Sequence, residues 1–186
     1  MLNLGPTTAL VRSRFLTEKN RGSNPQASRP YMPGYGMMFQ KDWKALPWTW
    51  AAERLMTAHN YWVATTRKDG RPHVMPVWGI WLDSTFYFST GRRSRKSRNI
   101  EVNPRCVICP EGASEAIILE GLAEELRDSN VRRQVRDAYM KKYDSDLNSY
   151  SAEPIYAVRP RVVFGLVENS DKIRGNPTRW NFSAQR

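Results

Sequence analysis

Between Tyr61 and Thr90 the chain alternates short β-rich runs with two-residue turns, and this pattern confines it to an antiparallel fold. Tyr61-Trp-Val-Ala-Thr-Thr-Arg67 is β-branched and aromatic, and Lys68-Asp69-Gly70 follows it. Asp-Gly is a strong hairpin signal. Pro72 to Trp81 reads as a second strand, with Pro76 marking an edge or bulge because proline has no N–H for a ladder. Asp83-Ser84 is another tight turn, and Thr85–Thr90 a third strand. Turns this short cannot join parallel strands, which need a crossover of a dozen or more residues. Further strands are expected at Arg105–Cys109, at Ala116–Leu126 with a bulge at Gly121, and at Ile155–Arg159 and Arg161–Glu168, broken at Pro160. A short strand or docked tail is expected at Thr178–Phe182. Helical spacing of apolar residues appears at Trp48–Thr57, Ser94–Val102, and from an Asp128-Ser129-Asn130 cap to about Tyr143. The expected class is mainly β with a few helices, arranged as a closed or split β-barrel. There is no βαβ alternation, no G-x-G-x-x-G and no G-x-x-x-x-G-K-[ST], which excludes Rossmann and P-loop readings.

Residues 89–105 carry the strongest chemical signal. Ser89 and Thr90 end a strand, Gly91 turns, and five cations follow in Arg92, Arg93, Arg95, Lys96 and Arg98 with no acid among them. Ser94 is placed to cap a helix that runs to Val102 and is closed by Asn103-Pro104. A helix N-terminus crowded with Arg, Lys and hydroxyls suits a phosphate. Its owner is either a bound cofactor or a nucleic acid. The chain as a whole holds 29 basic and 18 acidic residues, a net charge of +11, so anionic partners are favoured. The aromatics sit inside strand patterns rather than between the cations, and no RNA-binding signature appears, so nucleic acid is the weaker reading.

Residues 1–42 differ in kind. They are rich in Pro, Gly, Ser, Asn and basic residues without a sustained apolar period, and read as a flexible basic extension. Residues 43–186 read as the folded domain. Two Cys and two His are too few for an ordinary four-ligand metal site, so no metal is expected. Cys106 and Cys109 form a C-x-x-C, but on a strand they point to opposite faces, as two small thiols of a reducing, cytoplasmic protein. No apolar run approaches the roughly 18 residues of a membrane span.

An ordered set of motifs then matches a known family: Gly70-Arg-Pro-His-Val-Met-Pro-Val77, Phe86-Tyr-Phe-Ser-Thr-Gly91, Ser94-Arg-Lys96, Asn103-Pro-Arg105, Glu120-Gly121 and Thr178-Arg-Trp180. The chain from about 45 to 183 resembles the pyridoxamine 5′-phosphate oxidase-like split-barrel flavoproteins, above all their branch that uses the deazaflavin coenzyme F420. The resemblance implies a six-stranded split barrel that forms a homodimer, with cofactors in grooves between subunits. It implies that His73, Val74, Met75, Pro76 and Val77 run beside the cofactor ring, and that Ser89 and Thr90 hold ribityl or phosphate oxygens. Ser94, Arg95 and Lys96 would grip the phosphate, and Arg179 and Trp180 would reach the cofactor from the C-terminal tail. The family's pyridoxamine oxidase places a lysine in the strand facing the flavin. The matching region here is Val77-Trp-Gly-Ile80, which argues against vitamin B6 oxidation.

The implied activity is that of an oxidoreductase passing hydride from reduced F420 to an unsaturated or conjugated carbonyl substrate, with FMN as the alternative cofactor. The cofactor carries such chemistry and the protein supplies binding and orientation, so the lack of a protein nucleophile fits. His73 is the one candidate for proton transfer, and also reads as a structural strand histidine. Trp78 and Trp81 read either as walls of the substrate pocket or as core. Tyr139, Lys141, Lys142 and Tyr143 read either as contacts to an anionic tail or substrate or, the favoured reading, as a solvated helix face, and Arg132, Arg133 and Arg136 read the same way.

Overall fold

The computed structural model describes residues 25–33, 43–145, 153–168 and 177–183. Among these, the strands are β1 (Gln26–Ser28), β2 (Tyr61–Thr66), β3 (Pro72–Val77), β4 (Ile80–Leu82), β5 (Thr85–Ser89), β6 (Arg105–Pro110), β7 (Glu115–Glu125), β8 (Ile155–Val167) and β9 (Thr178–Asn181). The helices are α1 (Trp48–Thr57), α2 (Arg95–Val102) and α3 (Ser129–Tyr143). All ladders are antiparallel, in the order β1-β9-β8-β7-β6-β2-β3, with β5 pairing both β4 and β8. Six strands, β2, β3, β5, β6, β7 and β8, have five residues or more and match the six expected. The three additional strands, β1, β4 and β9, have three or four residues.

Local chemistry explains the turns. Gly70 takes φ 83° between β2 and β3, a left-handed conformation that glycine adopts without steric cost. Between β4 and β5, Asp83 (φ 47°) and Ser84 (φ 58°) form a turn with two left-handed residues, the geometry that matches the twist of a tight hairpin. The caps are as expected. Ser94 Oγ accepts from the Ser97 N–H at 3.1 Å, and Asp128 Oδ1 accepts from Asn130 (2.8 Å) and Val131 (2.9 Å).

Three expectations change. The expected strand Pro72–Trp81 is two strands, β3 and β4, separated by a corner at Trp78-Gly79. There the Gly79 N–H leaves the sheet and donates to the Tyr143 hydroxyl at 2.9 Å, while a side chain at Gly79 would collide with the Phe86 ring. Conversely, β8 passes through Pro160 unbroken. Its partner β7 shifts register between Glu120 and Gly121, so Arg161 is an extra, unpaired residue and the missing proline N–H leaves no gap in the ladder. Gly121 permits this close approach, since a Cβ there would lie 2.6 Å from the Arg159 carbonyl oxygen. Finally, the segment Gln26–Ser28 of the N-terminal extension is a sheet strand, paired with β9. The rest of residues 1–42 apart from 25–33 lies outside the described residues.

The main core gathers Leu55, Tyr61, Val63, Trp81, Phe86, Phe88, Ile108, Ile117, Leu119, Val158, Val163 and Trp180 from α1 and the sheet. Cys106 is buried and Cys109 half-buried, both as free thiols, and burial pushes the Cys106 thiol up to about 12. No helix among the described residues is long and apolar enough to cross a membrane, and no cluster of metal-ligating side chains occurs among them.

Candidate functional site

Two clefts border the Thr90–Arg98 stretch. One is a 610 Å³ cleft between the β2–β3 hairpin and α2, lined by Arg67, Lys68, Asp69, Arg71, Arg95, Arg98, Asn99 and Val102. Five of these residues are cationic, and the single acid, Asp69, is already paired with Arg71 at 2.7 Å. That guanidinium holds the Asp69 carboxyl at about 2, so it stays ionised and neutralises only its own partner. Arg67 Nε is buried without a hydrogen-bond partner, an exception to the usual satisfaction of buried polar atoms.

His73 reports the field of this cluster. Its imidazole is held below the ordinary value, first by burial and then by the charges of Arg67, Lys96 and Arg95. Lys96, half-buried in the first turn of α2, is also lowered by burial. Converging cations without counter-charge raise the free energy of the empty site, and an anion placed among them removes that penalty. Buried Asn99 supports the arrangement from below. Its Nδ2 donates at 2.9 Å to Thr65 Oγ1, which itself lies 3.5 Å from His73 Nδ1.

The second cleft, of 330 Å³, is lined by Trp78, Ser89, Thr90, Gly91, Tyr139, Ser145 and Glu153. Ser89 Oγ donates to the Pro154 carbonyl at 3.1 Å, and Thr90 Oγ1 to Ser94 Oγ at 3.2 Å. The Thr90 hydroxyl thus ties this cleft to Ser94, the N-cap of α2. The chain of residues 89–96 therefore contributes to both clefts, Ser89, Thr90 and Gly91 to the smaller and Arg95 to the larger.

The remaining expected residues divide. Val74, Met75 and Pro76 lie exposed on β3, the outer strand of the sheet, with Val77 half-buried beside them. Trp78 is 41 % exposed and lines the second cleft, whereas Trp81 is 6 % exposed and packs edge-on against Trp48. Trp180, expected to touch the cofactor, is 1 % exposed beneath Trp48 and Trp50. Its place in the ladder turns it inward, so it serves as core and offers no ligand face within this chain. Arg179 points the other way from β9, half-buried, with an unpartnered buried Nε.

Sequence reasoning missed Arg67, Lys68, Arg71 and Arg98 as one wall. The signal available was the flanking of the Asp-Gly hairpin by cations on both strands. Arg92 was one of five cations that the sequence shows without an acid among them. In space Arg92 is paired with Glu125 at 2.8 Å, and its N–H donates to Glu153 at 2.6 Å. The solvated-face reading of α3 fails for Tyr139, Lys142 and Tyr143. Tyr139 is buried, and the other two are half-buried against the Gly79 corner.

Residues 51–166, well over half of the chain, match the sequence model of the family described as pyridoxamine 5′-phosphate oxidase. The chain belongs to this family. Solved structures agree at the level of the fold. The haem storage protein HutZ from Vibrio cholerae aligns with a TM-score of 0.56 at 19 % identity, over 63 % of this chain and 94 % of that one. A conserved hypothetical protein from Mycobacterium tuberculosis gives 0.59 at 17 % identity, over 67 % and 86 %. A pyridoxamine 5′-phosphate oxidase-like protein from Listeria innocua gives 0.52 at 16 % identity, over 62 % and 94 %. No curated protein matches the sequence. The donor set of the cationic cleft fits a phosphate-bearing cofactor: guanidinium and ammonium donors, a capped helix start, and a buried Nε without a partner.

Proposed function

We propose that this protein is an oxidoreductase that binds reduced coenzyme F420 and reduces an unsaturated or conjugated carbonyl substrate. The observation that carries the reading is the cationic cleft that Arg67, Lys68, Arg95 and Arg98 form between α2 and the β2–β3 hairpin that carries His73. In this reading Ser94, Arg95 and Lys96 hold the phosphate, and His73 to Val77 border the ring. Bound there, the deazaflavin supplies the hydride. Trp78 and Tyr139 exclude water from the substrate's apolar body, and Ser89 and Thr90 offer hydroxyls to the cofactor's ribityl or phosphate oxygens. Arg67, Lys68 and Arg98 extend the positive field past one phosphate, which favours a cofactor with several anionic groups over FMN. FMN is the second candidate, because its single phosphate needs only the start of α2.

A homodimer is part of the same reading. Trp62 (46 % exposed) and Val74 (49 %) leave apolar side chains on one face of the neighbouring strands β2 and β3, a face suited to a second copy. We place the protein in the cytoplasm on the strength of its two free thiols.

The test is titration of the purified protein with F420 and with FMN, following Trp fluorescence. Micromolar binding of F420 supports the proposal. Binding of FMN alone refutes the cofactor choice, and binding of neither refutes the class.

A further inference from the structure

The end of α3 holds a lysine whose amine is bonded into the interior of the fold. Lys142 Nζ donates to the buried Tyr61 hydroxyl at 2.8 Å and to the carbonyl of buried Gly79 at 3.1 Å. It lies 4.9 Å from the ring centre of Tyr61 and 5.3 Å from that of Tyr143. No carboxylate among the described residues comes within ion-pair distance of it. The charged and titratable groups facing it are Tyr61 from β2, Tyr143 from α3 and Glu111 following β6. The His59 ring stands 5.2 Å from Tyr143. The Glu111 carboxylate is occupied by the His59 N–H at 3.3 Å and Asn60 Nδ2 at 2.7 Å.

An ammonium has three donors and a neutral amine has two. Two donors here go to buried acceptors, so the proton lost on deprotonation is the third, and its place is taken by the lone pair. The side chain is half-buried and not sealed from solvent. We propose that Lys142 is an acyl-modification site, reactive toward small acyl phosphates and acyl thioesters. The Nζ lone pair adds to the acyl carbon, the bond from that carbon to the phosphate oxygen or thiol sulfur breaks, and the leaving group departs with its electron pair. Nζ sheds one proton to solvent, and an amide results. The product keeps one N–H where the amine had two, so one of the bonds to Tyr61 and Gly79 is lost. The Gly79 corner carries Trp78, whose ring stacks on Tyr143 at 4.8 Å and 8°. Acylation therefore loosens the wall of the 330 Å³ cleft. This inference does not depend on the choice of cofactor.

Burial holds the Lys142 amine at about 8 instead of 10.5. That gives roughly 200-fold more free base near pH 7.5, offset by lower intrinsic nucleophilicity to about tenfold in rate. The experiment treats the whole protein with acetyl phosphate and follows each lysine by peptide mass spectrometry. Lys141, its exposed neighbour on the same helix, is the internal reference. The expected result is acetylation of Lys142 about tenfold faster than Lys141 at pH 7.5, with a rate that levels off above pH 8. Equal rates, or a rate still rising through pH 10, would overturn the assignment. Hydrogen exchange of the Gly79 amide tests the consequence: it speeds up on acetylation, and an unchanged rate would refute the link to the cleft.

Discussion

The Tyr61 hydroxyl is the point at which α1, α3 and the sheet are joined, and replacing it with hydrogen isolates that junction. Tyr61 has no exposed surface, and its O–H donates to the Leu55 carbonyl at 2.6 Å while accepting from Lys142 Nζ at 2.8 Å. Burial pushes the Tyr61 hydroxyl well above the ordinary tyrosine value, so it stays protonated and neutral throughout the working range. Tyr61→Phe keeps the ring, its edge contact with Phe86 at 4.7 Å and the cation above it. It removes one neutral hydrogen bond, worth about 1 kcal/mol, and one to a charged group, worth about 1.5–3 kcal/mol. The expected loss is about 2.5–4 kcal/mol, or roughly 5–15 °C in Tm for a chain of this size. Urea unfolding followed by far-UV circular dichroism measures it. In a Lys142→Met background the same change should cost only the Leu55 part, about 1 kcal/mol, and the difference is the coupling energy. A loss below about 0.5 kcal/mol in the wild-type background would refute the reasoning, because a hydroxyl with two buried partners cannot be removed so cheaply.

Other consequences follow at separate sites. Arg95→Ala with Lys96→Ala should weaken cofactor binding by roughly 2–4 kcal/mol, about 30-fold to nearly 1,000-fold, in the fluorescence titration; unchanged affinity would show that the phosphate sits elsewhere. The chain has two histidines, so imidazole NMR resolves them, and inorganic phosphate should raise the His73 value by offsetting Arg67, Lys96 and Arg95. A downward or absent shift counts against an anion in that cleft. Gly121→Ala should cost about 2–3 kcal/mol, since the new methyl meets the fixed Arg159 carbonyl rather than a side chain that can rotate; unaltered urea unfolding would contradict this packing. The Lys142 amine, at about 8 in the fold against 10.5 when free, binds fewer protons folded than unfolded across that window. Its destabilising effect is therefore full below pH 8 and relieved as pH rises toward 10.5. Wild type should gain stability relative to Lys142→Met between pH 7.5 and 10, and a flat or opposite difference would exclude this assignment.

What could be read from the sequence was local. The Asp69-Gly70 and Asp83-Ser84 turns, the Ser94 and Asp128 caps and the span of α1 each depend on neighbours a few residues apart, and each stands as expected. The cations at the start of α2 were likewise visible as a cluster behind a cap. What could not be read depends on pairing across the sheet. The bulge that carries β8 through Pro160 is set by Gly121 on another strand. The acids that pair with Arg92 come from Glu125 and Glu153, far along the chain, so a run that looked uncompensated is partly neutralised. Trp180 carried a family motif, but strand register and the small Gly165 beneath it decide that its ring is core. The cluster on α3 looked amphipathic in the wrong sense because Tyr139, Lys142 and Tyr143 pack on the Gly79 corner, which helical periodicity cannot reveal.

The pairing of β1 with β9 has a consequence for the order of folding. Ala27 stands opposite Trp180, so the earliest described strand to leave the ribosome cannot be placed until residue 181 has been made. Loop-closure entropy makes this the slowest kind of contact to form. The meander from β2 to β5 closes its own turns and can assemble during synthesis. The edge of β8 from Val162 to Gly165 must wait for β9 to cover it. A nascent or truncated chain ending before Thr178 would carry that edge bare, a template for pairing with other chains. Chaperone dependence and aggregation should therefore be governed by this final clasp.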